Sequence, residues 1–118
     1  PWQVKRYVDE VFCAPGVANG DGRTRTAPDV NYGRGGIRKA RYMLSCTWNA
    51  PLNAFVAPEE FFEGKGIDAV LMPSHKAFQF IGMKPMQTFM ANDVVKNPTH
   101  EADFKRFVEL VRKNFSAL

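Results

Sequence analysis

Two short apolar runs, residues 41–47 and 85–91, are the stretches of this chain that read as β-strands. Everything else must be fitted around them. Three or four helical segments accompany them, and together these carry a large apolar surface. A two-stranded sheet cannot cover its own faces and edges, and parallel sheets need more strands than two. Either further strands are hidden in the chain or part of the fold comes from outside it.

The first run ends in a distinctive way. Arg41-Tyr42-Met43-Leu44-Ser45-Cys46-Thr47 reads as a buried strand, and Trp48-Asn49-Ala50-Pro51 breaks it into a loop. In open α/β sheets, ligands bind just past the carboxyl ends of strands. This strand end offers a hydroxyl, a flat aromatic surface and an amide, followed by a proline that stops the pairing. That set suits a planar, partly polar ligand, and it also occurs in turns that bind nothing.

The remaining segments follow in order. A helix is expected over 1–13, with Pro1 in its first turn, where a missing N–H costs nothing. Val4, Val8, Val11 and Phe12 recur at helical spacing with Tyr7 alongside, and Lys5, Arg6, Asp9 and Glu10 cover the other faces. Residues 14–39 are a long connection studded with turn signals: Pro15-Gly16, Asn19-Gly20, Asp21-Gly22, Pro28-Asp29 and Tyr32-Gly33-Arg34-Gly35-Gly36. A connection of that length in a compact domain is functional or disordered. Pro58–Glu63 reads as a short helix ended by Gly64 or Gly66, with Phe61 and Phe62 covering a core. Pro73 interrupts the next apolar segment, 67–81. A helix is therefore expected from Ser74 to Gly82, with Val70 to Met72 extended. Asn97-Pro98 opens the last helix, whose stripe is Phe104, Phe107, Val108, Val111 and Phe115, with basic residues toward its end.

Composition narrows the class. The 118 residues suffice for one domain with a core, and 45% hydrophobic content fits a globular chain. No apolar run reaches the roughly 20 residues that a bilayer span needs, and no signal peptide is recognisable. The first residue is Pro1 rather than Met, which leaves a targeting segment ahead of it open. Cys13 and Cys46 make no disulfide framework. Cys46 reads as a small buried apolar residue, and a reducing, cytoplasmic setting is expected. The net charge is +4. Arg23, Arg25, Arg34, Arg38, Lys39 and Arg41 face a single acid, Asp29, between positions 23 and 41. Such a loop is either a phosphate contact or a solvated surface. No Walker or Gly-x-Gly-x-x-Gly spacing supports a phosphate cradle. No His/Cys/Asp/Glu grouping has metal-ligand spacing, and no Ser-His-Asp arrangement is readable.

A resemblance covers nearly the whole chain. It is carried by Pro1-Trp2-x-Val4-Lys5-Arg6-Tyr7-Val8-Asp9-Glu10-Val11-Phe12 and by Asp21-Gly22-Arg23-Thr24-Arg25. Tyr42-Met43-Leu44-Ser45-x-Thr47-Trp48-Asn49-Ala50-Pro51, Phe61-Phe62-Glu63-Gly64-Lys65-Gly66 and His75-Lys76-Ala77-x-Gln79-Phe80-x-Gly82-Met83 extend it. It ends with Thr88-Phe89-Met90-x-Asn92-Asp93-Val94-x-Lys96-x-Pro98. These segments are similar to the modulator of drug activity B family of flavodoxin-like NAD(P)H:quinone oxidoreductases, related to DT-diaphorase. The resemblance implies a doubly wound parallel α/β sheet, bound FAD, a homodimer, and ping-pong two-electron reduction of quinones with NAD(P)H as co-substrate. It places residues 1–118 as the C-terminal portion of a single flavodoxin-like domain, without the family's N-terminal strands and FAD diphosphate loop.

By the same resemblance, Thr47, Trp48, Asn49 and Ala50 match a flavin-contacting loop and Tyr32 a separate FAD contact. Hydride chemistry belongs to the flavin, so no protein nucleophile is required. His75 is either a proton donor to the reduced quinone, its reference pKa lying near 6.5, or a satisfied structural histidine. His100 is expected to be exposed. Two other readings stay open. One is a non-catalytic fragment serving as a dimerisation or binding module. The other is nucleic-acid binding through the basic loop, which the lack of interleaved aromatic residues disfavours. The partners expected are therefore a quinone and a second copy, with no nucleic acid and no membrane span.

Overall fold

A computed structural model describes residues 2–17, 20–34, 36 and 39–115. The expectations for Pro1, Asn19, Gly35 and Arg38 lie outside them. The chain divides into two compact units, Pro1–Tyr42 with Pro73–Pro85 and Met43–Met72 with Met86–Leu118.

In the first unit, α1 (Trp2–Tyr7) continues into a π-helical turn, Val8–Phe12. The helix expected over 1–13 is therefore present, with its second half wound more widely. Its apolar stripe is not covered: Val4 and Tyr7 are each about half exposed, and Phe12 is the buried member. Phe12 meets Phe78 edge-on at 5.2 Å. Residues 20–34 run as turns, as their Gly and Asp content predicts. β1 (Arg41–Tyr42) pairs in parallel with β3 (Lys84–Pro85), and the Lys84 N–H donates to the Ala40 carbonyl at 3.0 Å.

Helix α4 (Met72–Phe80) also lies largely in this unit. It starts at Met72 and not at Ser74, because Pro73 falls in the first turn, where no N–H partner is needed. Val70 is likewise helical and not extended. At the other end Gly82 takes φ +86°. Its N–H bonds the Gln79 carbonyl and the Met83 N–H bonds that of Phe78, satisfying the last turn of the helix.

The second unit holds β2 (Ser45–Thr47) and β4 (Phe89–Ala91), paired in parallel with Ser45 opposite Phe89 and Thr47 opposite Ala91. Each strand expected from the sequence is thus split in two. Two residues, Met43 and Leu44, separate the pairings on one run and three, Met86 to Thr88, on the other. The counts cannot match, so the ladder breaks there, and Pro85 has no N–H with which to continue it. The first run is also not buried throughout, since Ser45 and Thr47 are exposed.

A short helix, α2 (Asn53–Val56), stands where none was expected. The helix expected at Pro58–Glu63 is a series of turns instead. Pro58 forces Ala57 into extended backbone (φ −87°, ψ 129°), which ends α2. Glu63 and Gly64 both have positive φ, which no helix accommodates. Phe62 turns inward and stacks on Phe55 at 4.4 Å, whereas Phe61 is 83% exposed and covers no core. α3 (Gly66–Val70) follows.

Helix α5 (His100–Phe115) lays Phe107 edge-on against Phe89 at 5.1 Å. Phe104, assigned to its apolar stripe from the sequence, is exposed, and so is His100, as expected. Acids in its first turn and Arg112 and Lys113 in its last suit the helix dipole. No helix among the described residues is long and apolar enough to cross a membrane.

Buried Asp103 ties α5 down. It accepts from Thr99 Oγ1 at 3.0 Å and from the Arg106 guanidinium, and Arg106 also donates to the Met90 carbonyl at 3.2 Å. The Arg106 bond holds the Asp103 carboxyl below the usual carboxylate range. Its stabilising contribution is therefore complete above the unfolded value, about 3.9, and is lost as pH falls through the lower folded value. Asp103→Asn should accordingly lower the urea midpoint more at pH 7 than at pH 3. Equal losses at both pH values would refute this account.

Candidate functional site

Strand β2 delivers Thr47 to its carboxyl end, and the turn that follows is held by residues just past the end of β4. The Trp48 N–H donates to the Ala91 carbonyl at 2.9 Å, continuing the ladder by one residue. The Trp48 carbonyl then accepts from the Val94 N–H at 3.1 Å. The Ala50 carbonyl accepts twice, from the Asp93 N–H at 3.1 Å and from Asn92 Nδ2 at 3.2 Å. Beyond Pro51 the chain enters α2, with the Ala54 N–H on the Pro51 carbonyl.

Four predicted site residues are therefore presented together. Thr47 and Asn49 are exposed; Trp48 and Ala50 are half-buried. The Trp48 ring packs edge-on against Phe55 at 5.3 Å and Phe62 at 6.2 Å. Its indole N–H donates to Cys46 Sγ at 3.2 Å, and that thiol in turn donates to the Phe89 carbonyl at 3.5 Å. Cys46 is thus half-buried and hydrogen-bonded rather than a fully buried apolar filler, and burial pushes its thiol up from the usual value. Among the described residues, the Asn49 side-chain amide and the backbone N–H groups of Asn49 and Ala50 have no hydrogen-bond partner. Donors left open at the carboxyl end of a parallel strand are what an electron-rich, planar ligand needs.

Tyr32 and His75 belong to the other unit. Tyr32 is 70% exposed, with its ring 5.8 Å from that of Phe80 and the Arg23 guanidinium 5.4 Å from its centroid. Arg23 is not a free phosphate ligand. Its Nε lies 2.6 Å from Asp21 Oδ2, and this pairing draws the Asp21 carboxyl below its usual range. His75 is buried, with Nδ1 2.8 Å and its carbonyl oxygen 3.2 Å from the Tyr42 hydroxyl.

Asn92 and Asp93 received no role from the sequence. Their signal was a polar Asn-Asp pair directly after an apolar run, which reads as an ordinary turn. Asn92 also lines a cavity of about 370 Å³ with Leu52, Met90, Thr88 and Thr99 around it.

Parallel strands joined through helices define an α/β fold. The family described as having a flavodoxin-like fold matches residues 1–115, and the chain belongs to it. It is 54% identical, over 83% of its length and 52% of the relative's, to an uncharacterized protein of Schizosaccharomyces pombe. It is 44% identical to the NADPH:quinone oxidoreductase MdaB of Haemophilus influenzae, over 94% of its length and 61% of the relative's. The chain thus spans between half and two thirds of the length of these two relatives.

Proposed function

We propose that this chain serves FAD-dependent, two-electron reduction of quinones by NAD(P)H, within a homodimer. The observation that carries the proposal is the 44% identity to the NADPH:quinone oxidoreductase MdaB across 94% of the chain. The open donors after β2 fit the cofactor: an oxidised isoalloxazine is flat, with electron-rich nitrogen and carbonyl edges that need N–H partners. In this reading Thr47, Trp48, Asn49 and Ala50 hold the flavin and Tyr32 contacts it from the long loop. A bound flavin supplies the hydride chemistry itself.

The side chains do the rest. The Asn49 N–H and amide would donate to an electron-rich edge of the bound ring, and fixed donors of that kind stabilise negative charge. Trp48, wedged on Phe55 and Phe62, gives the turn a rigid wall without spending rotamer freedom at binding. His75 serves packing in this reading, because its burial and its bond to Tyr42 fix it in place.

The test uses protein expressed from its complete reading frame. FAD retention is measured by equilibrium dialysis, and NADPH-dependent reduction of a simple benzoquinone by absorbance. We expect retention and turnover, with Asn49→Ala and Trp48→Ala each weakening FAD by about tenfold, the equivalent of one or two hydrogen bonds or a lost ring contact. Unchanged retention and turnover in both variants would refute the site. No retention of FAD at all would refute the function.

A further inference from the structure

We propose that Asn92 and Asp93 are positioning residues, fixing the Trp48–Ala50 turn so that the Asn49 N–H is held outward as a donor to the ligand. The ligand's being a flavin rests on the function proposed above; the fixing of the turn does not.

In a trans peptide the C=O and the following N–H point in opposite directions, and no cis bond occurs among the described residues. The Trp48 carbonyl is turned onto the Val94 N–H. The Asn49 N–H shares that plane and so points away from the 92–94 turn. The Ala50 carbonyl is turned the same way by two donors, Asp93 N–H and Asn92 Nδ2. The next residue, Pro51, has no N–H to offer. One short turn after β4 thus sets the Trp48 and Ala50 carbonyls, on either side of Asn49, and leaves the Asn49 N–H open.

Asp93 makes this reach possible. It takes φ +52°, a left-handed conformation that Asp and Asn tolerate better than other side chains. There its N–H faces Ala50 while the next N–H, that of Val94, faces Trp48. The Asn97 N–H on the Asp93 carbonyl at 3.0 Å closes the turn from the far side. Asn92 adds a donor from a half-buried side chain, where solvent competes less for the bond.

The test compares Asn92→Leu, Asp93→Val and Asp93→Gly with the parent protein. In flavin-free protein, hydrogen exchange of the Val94 amide reads the clamp directly. With FAD as probe, equilibrium dialysis reads its consequence. Asn92→Leu should speed Val94 exchange by about tenfold and weaken FAD by about fivefold to tenfold, with the thermal midpoint lowered by about 4–8 °C. Asp93→Val, β-branched at positive φ, should lose both. Asp93→Gly, which accepts that φ freely, should keep both. Val94 exchange unmoved in Asn92→Leu would overturn the proposal, and so would faster exchange with FAD affinity intact. If Asp93→Val does not fold, the Asn92→Leu and Asp93→Gly pair decides. If the parent retains no FAD, the function proposed above has failed, and the exchange rates alone uphold or overturn the fixing of the turn.

Discussion

Phe55→Ala should cost about 3–5 kcal/mol in a urea titration, a large share of the roughly 5–15 kcal/mol that holds a domain of this size together. Phe55 is completely buried. It stacks on Phe62 and receives the edge of Trp48. The loss combines the transfer of a phenyl ring with a cavity that cannot close easily. Trp48 is held by its backbone bonds to Ala91 and Val94 and by its indole bond to Cys46, so it cannot slide into the vacated space. Phe61→Ala is the internal control. That ring is 83% exposed, and its removal should move the midpoint by no more than about 0.5 kcal/mol. Similar costs at the two positions would refute this account of the core.

Tyr42→Phe is the second large effect, expected at about 1–3 kcal/mol for one oxygen atom. The ring stays, stacked on Phe78 at 4.7 Å, so packing is preserved. What is lost is a buried hydroxyl placed between the ring nitrogen and the carbonyl of His75. Depriving buried polar groups of a partner costs more than an exposed hydrogen bond contributes, because water cannot replace it. The same denaturation assay measures it. A change below about 0.5 kcal/mol would show that the hydroxyl does not anchor α4 to β1.

The parts of the fold that were legible in the sequence depend on local chemistry. Gly82 ends α4 because glycine alone among neighbouring residues takes φ +86° without strain, and the last helix follows from the Asn97-Pro98 pair ahead of it and its periodicity. The parts that were not legible depend on counting across the chain. Each strand run was located, yet nothing near Met43 reveals that two residues there must match three beyond Pro85. Pro73 reads alike as a helix breaker or as a first-turn residue, and only where α3 stops decides between them. Phe61 and Phe62 are adjacent in a turn without periodicity, so no pattern says which one reaches Phe55. The candidate site divides in the same way. Thr47 to Pro51 stands out because its polar and aromatic groups lie side by side. The residues that aim it, Asn92 and Asp93, follow 42 and 43 positions after Ala50 and Ala50 alone tells nothing of them.

The bond from the Trp48 indole to the Cys46 thiol gives the turn an optical signature. The chain has two tryptophans, and Trp2 is exposed while Trp48 is half-buried. With Trp2 changed to Phe, ultraviolet emission would come from Trp48 alone, beside a sulfur atom that drains its excited state. Any event that moves the turn away from β4, or fills the space against it, changes that brightness before it changes secondary structure. The molecule therefore carries its own light gauge at the place where a ligand would dock.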